Sequence, residues 1–393
     1  MAYDPWADGV LADPYPWYRW LRTEAPCHHV ADRDLWVLSR YGDVVAALRN
    51  HQVFSSNQGI DYQRRRRRDL VQVDPPEHTR LRRLVSRDFV PRAIAALEPR
   101  VEALVDGLLD VILEKQSAEL VADLAEPLPV TVIAELLGVP VERRADFKRW
   151  SSDLIEAAGG QLGPAEAVRT AASRKEFASF LREAVAERRH RAVPGATDII
   201  TSLVHATDAD ALSELELIEF CIVLLVAGNE TTTNAIGNGA LAMLAFPDQW
   251  RAVLRDPSLV TSFVEEVLRF DAPIQGFFRN TLAPVEVAGS TIEADAKVLV
   301  LFASANRDPG HFPNPDTFLA GRFAAGRHPV DHVAFGNGIH HCLGAPLARL
   351  ELGVLARAFI RRVKWILPAG QPLRTRNPLF RGVRTLPVAV AGR

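Results

Sequence analysis

The chain is poor in cysteine, in net charge and in terminal apolar sequence, and each shortage argues against a class of protein. Three scattered cysteines with no Cys-x-x-Cys pair suit a reducing cytoplasm, and they disfavour a cysteine-rich zinc site. The 46 basic and 48 acidic residues leave no overall field of the kind that attracts nucleic acid. Residues 1–20 are rich in Asp, Pro and Trp, so we expect neither a signal peptide nor a membrane anchor there.

Apolar periodicity predicts a mainly helical chain with a minor β portion. The longest apolar segment, 213–245, opens with a capping-box pattern of Ser213 and Glu216 and is followed by Pro247. A helix of that length spans about 50 Å, enough to cross a domain. Its uninterrupted apolar stretch, 220–227, is far too short for a membrane span. The other expected helices are 17–23, 41–49, 92–113, 130–137, 165–191, 258–270 and 343–363, and the expected strands are 35–38, 285–287, 297–302 and 386–390.

Cys342 lies in a loop with three glycines, Gly336, Gly338 and Gly344, directly before a predicted helix. Glycine lets the backbone turn tightly and lets a flat group approach closely. Pro346 suits the first turn of the helix, where its missing N–H costs nothing. Free N–H groups and the helix dipole stabilise a thiolate at such a position, so we expect Cys342 to be an ionised metal ligand.

Three kinds of site remain compatible with this cysteine. A zinc site needs more ligands, and His340 and His341 are too close in sequence to Cys342 for an easy tetrahedral set. A catalytic nucleophile needs a histidine base from elsewhere in the fold, which the sequence leaves open. An axial thiolate on haem iron needs no second protein ligand, because the porphyrin supplies four nitrogens.

A polar run interrupts the long central helix near its middle. Gly228, Asn229, Glu230 and Thr231 follow Ala227 where a buried helix would otherwise be apolar. Such a local inconsistency usually marks a functional site, and Gly228 removes a side chain where a ligand must approach. The alternative is a helix kink whose polar groups are satisfied locally.

The loop Phe335-Gly-x-Gly-x-His340-x-Cys342-x-Gly344 resembles the haem-binding loop of the cytochrome P450 family. Three further features stand in the family's order and spacing: the polar run of the central helix, Glu266-x-x-Arg269, and a set of cations. Length alone would predict two or three domains. The resemblance implies instead a single catalytic domain over residues 1–393, with the family's mainly α fold, triangular in outline, with small β-sheets, around a buried haem.

The resemblance also implies roles for individual residues. Charge-assisted hydrogen bonds to carboxylates are strong, which suits cations to the haem propionates. By the resemblance, Cys342 binds iron, and the residues that border the haem are Phe335, Gly336, His340 and Gly344. Glu230 and Thr231 deliver protons on the distal side, and the propionates are held by His78, Arg82, Arg279 and His340. Glu266, Arg269 and Arg322 form a buried structural network.

The implied reaction is a monooxygenation with haem b as cofactor, in which one atom of O2 enters an apolar small molecule and the other leaves as water. The chain carries no flavin or iron–sulfur motif, so a separate ferredoxin and an NAD(P)H-dependent ferredoxin reductase are the expected electron donors. A peroxide-driven peroxygenase would be expected to alter the pair Glu230 and Thr231. A non-catalytic haem sensor or electron carrier would need neither that pair nor an apolar pocket.

Two groups of arginines and one set of apolar residues are further candidates for contacts with partners and substrate. The run 64–68 is typical of a solvated loop, with recruitment of an acidic substrate as the alternative. A second group would steer an acidic partner or else form an ordinary solvated surface; it comprises Arg80, Arg82, Arg83, Arg87 and Arg92. The expected substrate walls suit a terpenoid, steroid, fatty-acid or other natural-product scaffold; they are Val223, Ala227, Ile274, Phe277, Phe278, Leu379 and Phe380.

Overall fold

The computed structural model describes residues 3–64, 69–159, 162–190, 198–205 and 211–393. Over these residues the chain is mainly helical with small sheets, as the sequence predicts. The helices are α1 Asp8–Ala12, α2 Tyr15–Glu24, α3 Tyr41–Arg49, α4 Glu77–Val85, α5 Pro91–Ala95, α6 Glu98–Lys115, α7 Pro127–Leu137, α8 Arg144–Ala158, α9 Pro164–His190, α10 Ile199–Val204, α11 Glu214–Ala245, α12 Pro247–Arg255, α13 Val260–Phe270, α14 Phe302–Ala305 and α15 Ala345–Arg362. The strands are β1 Cys27–Val30, β2 Leu35–Leu38, β3 Phe54–Ser55, β4 Ser117–Glu119, β5 Phe277–Thr281, β6 Val285–Val287, β7 Ser290–Ile292, β8 Lys297–Val300, β9 Val363–Pro368, β10 Leu373–Arg374, β11 Val383–Thr385 and β12 Pro387–Gly392.

The central helix α11 runs for 32 residues and packs against α7, α8 and α9. Ser213 and Glu216 form the capping box that the sequence predicts, each side chain bonding the other's backbone N–H. The helix ends at Ala245, and Pro247 begins α12 in the next turn. Because nearly every turn of its second half is buried, α11 fixes the positions of the elements that surround the site.

The largest sheet has five strands in the order β1-β2-β8-β5-β3. Strands β2 and β8 are parallel, with Leu35 opposite Lys297, whereas β5 and β8 are antiparallel. Gly276 precedes β5 where a Cβ atom would lie 2.3 Å from the carbonyl oxygen of Val300, so only glycine allows this approach. Smaller sheets join β4-β12-β9, β6-β7 and β10-β11.

One hydrophobic core draws residues from Tyr3 near the start of the chain to Val390 near its end. Such continuity agrees with a single domain over 1–393, which stays a prediction. Within the described ranges, no helix combines the length and apolarity that crossing a membrane requires.

Three helical predictions differ from the structure. Residues 92–113 form not one helix but α5 and the start of α6, because Pro99 in the first turn of α6 cannot donate to the preceding turn. The segment 258–270 begins with a 3-10 turn, so α13 starts at Val260. Helix α8 was not predicted at all, and it carries a residue of the candidate site.

Candidate active site

The loop before α15 is held in one shape by its glycines and by backbone hydrogen bonds. Gly336 and Gly338 have φ of +70° and +68°, in the left-handed region that favours glycine. A Cβ atom on Gly338 would also lie 2.4 Å from the carbonyl oxygen of Leu48 in α3. The N–H of Cys342 donates to the carbonyl of Phe335 at 2.9 Å, which closes the loop. The thiol is therefore presented by a fixed backbone.

The Cys342 thiol experiences opposing electrostatic effects. Burial raises its pKa above the ordinary value, whereas hydrogen bonds from the N–H groups of Gly344 and Ala345 and the charge of Arg82 lower it. The helix N-terminus and Arg82 thus act in the direction expected for a thiolate, and burial acts against them. Although many protein atoms surround the sulfur, the side chain is reached by solvent, so a metal ion that replaces the thiol proton has access to it.

Cationic side chains from three elements meet beside this loop. His78 and Arg82 come from α4, Arg279 from β5, and His340 from the Cys342 loop. The rings of His78 and His340 meet edge to face with centroids 4.5 Å apart. Burial lowers the pKa of Arg279 to about 10 and that of His78 to about 4, and it also lowers the pKa of Arg82.

Negative charge is scarce around these cations. Within the described chain, the Asp74 carboxylate is the acidic group near them, and it lies 4.0 Å from His340 Nε2, beyond hydrogen-bond distance. Asp74 is itself bound by the Ser55 hydroxyl and the Ser56 N–H. The Nε2 atoms of His78 and His340 are buried without a hydrogen-bond partner among the described residues. Orphaned donors of this kind fit a ligand that brings its own carboxylates.

The polar run of α11 lies where it was predicted; Glu230 and Thr231 have specific partners, whereas the side-chain nitrogen of Asn229 is buried without one among the described residues. The Thr231 hydroxyl donates to the carbonyl of Ala227 at 2.5 Å, one turn back along the helix. The Lys148 ammonium forms an ion pair with the Glu230 carboxylate, with Nζ 3.0 Å from Oε2. Gly228 faces Ile133 of α7, and a Cβ atom there would lie 3.3 Å from its Cδ1.

Lys148 of α8 is the residue that sequence reasoning missed. It is shared between two acids, since its Nζ lies 2.9 Å from Glu126 and 3.0 Å from Glu230. The Ser152 hydroxyl also lies 3.4 Å from the Glu230 carboxylate. Both carboxylates raise the pKa of Lys148 against the opposing effect of burial, which is the largest single contribution. The sequence signal was the amphipathic segment 144–158, on which Lys148 and Ser152 share a helix face.

Glu266, Arg269 and Arg322 come together in a fully buried network. The guanidinium of Arg269 donates to both oxygens of Glu266 at 2.7 and 2.9 Å, and Arg322 Nε donates to them at 3.0 and 3.1 Å. Further N–H groups of both arginines bind backbone carbonyls, among them Asn306 and Pro313. The two guanidinium groups share one carboxylate, and the surrounding carbonyls take most of their other donors, which is what makes burial of the network tolerable.

A second network, which the sequence analysis did not single out, stands beside the first. Neighbouring Glu265 binds Arg349 of α15 at 2.6 Å and His332 at 2.9 Å. Although burial opposes it, these partners lower the pKa of Glu265 to about 2. The guanidinium of Arg349 also lies 4.6 Å above the ring of Phe335. The consecutive acids of α13 therefore hold both the segment before the Cys342 loop and the helix after it.

The expected substrate walls separate into two groups. Phe277 contacts Phe380, with ring centroids 6.1 Å apart, and Ile274 is bridged to Phe380 through the backbone. Val223 is half-buried and Ala227 exposed on α11, whereas Leu379 is buried. Phe278 lies on the opposite face of β5 and is fully buried against Trp6 and Tyr62, so it belongs to the core.

Arg64 and Arg80 each form an ion pair. Arg64 binds Asp295 at 2.6 Å, and Arg80 binds Glu216 of the α11 capping box. The rest of the run, 65–68, lies outside the described residues. The side chains of Arg83, Arg87 and Arg92 are exposed.

The residues beside Cys342 fit iron protoporphyrin: one soft ligand for the metal, glycines for close approach, and two arginines with two unpaired histidine nitrogens for the propionates. Fold and site together define the class of haem-thiolate proteins. Comparison with known proteins agrees. The Cytochrome P450 family model matches residues 162–388.

Relatives extend the match over the whole chain. The cytochrome P450 monooxygenase PikC of Streptomyces venezuelae is 37% identical over 96% of this chain and 91% of its own. The vitamin D(3) 25-hydroxylase of Pseudonocardia autotrophica is 39% identical over 100% and 97%. The structure of CYP109E1 from Bacillus megaterium in complex with testosterone superposes with a TM-score of 0.89, at 31% identity over 98% and 99%.

The chain belongs to the cytochrome P450 family, whose members use a haem cofactor, O2, redox partners and an organic substrate. Its relatives are monooxygenases and hydroxylases, and it is a P450 monooxygenase.

Proposed function

We propose that this enzyme inserts one oxygen atom from O2 into an apolar, steroid-sized or natural-product substrate, by hydroxylation or epoxidation. Haem b is the cofactor, and a ferredoxin with an NAD(P)H-dependent reductase supplies two electrons per turnover. The observation that carries the proposal is that the chain has both the Cys342 loop and the acid and alcohol side chains of Glu230 and Thr231 on α11. A haem protein without oxygen chemistry has no need of that acid–alcohol pair.

The proximal residues hold the cofactor. Cys342 is the iron ligand, and His78, Arg82, Arg279 and His340 bind the propionates with the donors that the protein leaves unpaired. Thiolate-ligated haem supplies O2 activation and favours O–O cleavage. Phe335, Gly336 and Gly344 keep the loop flat enough for a porphyrin to lie against it.

The distal residues move protons. In the structure Glu230 is bound to Lys148 and Thr231 to the Ala227 carbonyl, so each group of the pair has a protein partner that it must exchange to pass a proton. Release of Glu230 from Lys148 lets the carboxyl group take a proton from water near α8 and pass it toward the Thr231 hydroxyl. Glu126 keeps the Lys148 ammonium paired meanwhile.

The substrate pocket is apolar. Val223, Ala227, Ile274, Phe277, Leu379 and Phe380 supply aliphatic and aromatic surface. A wall of this kind recognises shape and burial rather than charge. Relatives include a vitamin D(3) 25-hydroxylase, a testosterone complex and a complex with hexadec-9Z-enoic acid on an acyl carrier protein, so steroids, secosteroids and long-chain fatty acyl groups are the first probes.

A spectral titration and a coupled assay test the proposal. The reduced carbon-monoxide complex should absorb at about 450 nm, and Cys342→Ser should abolish that band. Steroid and secosteroid probes should convert the haem to high spin, and surrogate ferredoxin with its reductase should then yield oxygenated product from NADH. A peroxygenase would turn over with peroxide alone and show no gain from ferredoxin, and a sensor would yield no product under either condition.

A further inference from the structure

A His–His–Asp group lies outside the haem site, on the segment that leads into the Cys342 loop. His311 Nε2 lies 2.8 Å from Asp331 Oδ2, and His328 Nδ1 lies 3.5 Å from Asp331 Oδ1. One ligand atom from each residue falls within 4.8 Å of the other two. His328 and Asp331 precede Phe335 by only a few residues, so whatever binds here acts on the support of the haem loop.

The hydrogen bonds of His328 leave one nitrogen in need of a cation. Its Nε2 lies 3.1 Å from the carbonyl of His311, and its Nδ1 lies 2.9 Å from the carbonyl of Pro329 and near Asp331. Both nitrogens thus face oxygen acceptors, whereas a neutral imidazole has only one N–H. In the tautomer with the proton on Nε2, the lone pair of Nδ1 faces two oxygens, and a proton or a metal ion there relieves the repulsion. A metal-bound histidine typically donates its other N–H to a backbone carbonyl, as His328 does.

The spacing of the ligand atoms suits a small divalent ion. With bonds of about 2.0–2.1 Å to nitrogen and oxygen, neighbouring ligand atoms of a tetrahedral zinc ion lie about 3.3 Å apart. Asp331 meets the two rings through different oxygens, Oδ2 at 2.8 Å from His311 and Oδ1 at 3.5 Å from His328, so its carboxylate faces both imidazoles at distances near that value. Asp331 Oδ1 is also buried without a hydrogen-bond partner among the described residues, although it points toward His328.

Aromatic contacts fix both rings before any ion arrives. Tyr41 stacks on His311 with centroids 3.5 Å apart and an interplanar angle of 7°, and its hydroxyl donates to the Asp331 carbonyl at 2.8 Å. Phe312 stacks on His328 at 5.0 Å. The three ligand side chains remain between 18% and 33% exposed, which leaves an ion a path from solvent.

We propose that His311, His328 and Asp331 form a binding site for a zinc-class divalent cation. Two imidazoles and one carboxylate make a donor set that favours Zn²⁺ over Mg²⁺, which prefers oxygen ligands alone. The bound ion ties the turn at His311 to the segment that enters the Cys342 loop, and so stiffens the proximal support of the haem. This site is independent of the substrate and of the proposed oxygenation.

The test uses EDTA-treated holoenzyme and isothermal titration with ZnCl2 and with MgCl2. We expect one zinc ion per chain, no heat from Mg²⁺ at the same concentration, and a higher melting temperature with zinc. His328→Phe keeps the stack on Phe312 and removes the ligand, and Asp331→Asn keeps the shape and removes the charge. Each should weaken zinc binding by at least about tenfold.

His29→Gln is the matched control. His29 also stacks on an aromatic ring, Trp36, and lies 3.2 Å from the carboxylate of Asp34, but among the described residues it has no third ligand. Its zinc affinity should equal that of the wild type. The proposal is overturned if holoenzyme takes up no zinc, if His328→Phe binds as well as wild type, or if crystals soaked in zinc show no anomalous peak between the three side chains.

Discussion

The two sides of the site differ in how their charges are held. On the proximal side, Glu266 is fully buried between Arg269 and Arg322, and Glu265 is buried between His332 and Arg349. On the distal side, Glu230 is partly exposed and shares Lys148 with a second acid. A charge enclosed by fixed partners cannot turn without a large loss of energy, whereas a charge in a shared pair with some solvent exposure turns at a smaller cost.

This difference matches the tasks we assign to the two sides. Holding a cofactor needs a rigid frame, and α13 supplies it with two consecutive acids that fasten the segments on either side of Cys342. Delivering protons needs a group that moves, and in the proposed mechanism Glu230 moves by breaking its ion pair with Lys148 of α8. Four predictions test the comparison, from the largest expected effect to the smallest.

Glu266→Ala should destroy the folded holoenzyme. It leaves the guanidinium groups of Arg269 and Arg322 buried without a counter-charge, which costs about 3–5 kcal/mol. Expression should yield aggregated or haem-free protein, as measured by the ratio of Soret to protein absorbance. Glu135→Ala is the control, because its ion pair with Arg100 is partly exposed and contributes at most about 1 kcal/mol. Normal haem content in Glu266→Ala would contradict the rigid proximal frame.

Glu351 of α15 is the exception within the proximal frame and should make stability fall with rising pH. Burial raises the pKa of this carboxyl to about 8, and its Oε2 has no hydrogen-bond partner among the described residues. A folded-state pKa above the unfolded value near 4.5 means that the folded state binds the proton more tightly. The contribution of this proton to the free energy of unfolding is fully present below pH 4.5 and is lost as the pH rises through 8. The loss is on the order of a few kcal/mol.

Urea unfolding of wild type and Glu351→Gln at several pH values measures this effect. The two should differ most at pH 9, where the variant should be the more stable, since its amide carries no buried charge. Glu265→Gln provides a comparison of opposite sign, because the pKa of Glu265 is lowered to about 2 and its contribution is lost only in acid. If the free energies of unfolding of wild type and Glu351→Gln change with pH in parallel, Glu351 is not the source of the pH dependence.

Thr231→Ala should keep the haem and the fold but lose coupling. The change removes one hydroxyl whose partner is the Ala227 carbonyl within the same helix, so stability should change little. Electrons should instead yield peroxide, with coupled product reduced about tenfold or more, within the range typical of a lost proton-transfer group. Thr232→Ala, at the adjacent buried position, should leave the ratio of product to NADH unchanged. Equal coupling in wild type and Thr231→Ala would remove Thr231 from the mechanism.

Lys148→Met should alter turnover by a few-fold without loss of haem. The variant frees Glu230 from its ion pair, and the rate and its pH dependence should shift together because the carboxyl group is then held by Ser152 alone. Lys175→Met, at an exposed position on α9, is the control. An unchanged pH profile in Lys148→Met would indicate that Glu230 does not move during turnover.

Much of the fold followed from local pattern. The capping box of Ser213 and Glu216, the ends of α3 and the glycine loop before α15 depend on residues close together in sequence, and the structure has them as predicted. The break between α5 and α6 was missed because the apolar period continues across it. The family resemblance brought Glu266, Arg269 and Arg322 to notice, although nothing local joins Arg322 to the other two.

The parts that were missed depend on contacts across the fold. Lys148 lies 82 residues from Glu230, and a lysine on an amphipathic helix has no mark that separates it from a solvated one. Separating Phe277, on the expected pocket wall, from Phe278, in the core, required the strand register, since neighbouring residues of β5 point to opposite faces. The balance of burial and helix N-terminus at Cys342 likewise depended on atoms brought there by α4.

The sharing of Lys148 by two acids makes Glu126 a tuning position for evolution and for protein engineering. Glu126 stands before α7, and in the proposed mechanism its ion pair with the Lys148 ammonium influences how readily Glu230 is released. A substitution there would then change the timing of proton supply through Lys148 rather than through the iron ligand. Variant libraries aimed at faster or better-coupled catalysis could therefore include residue 126.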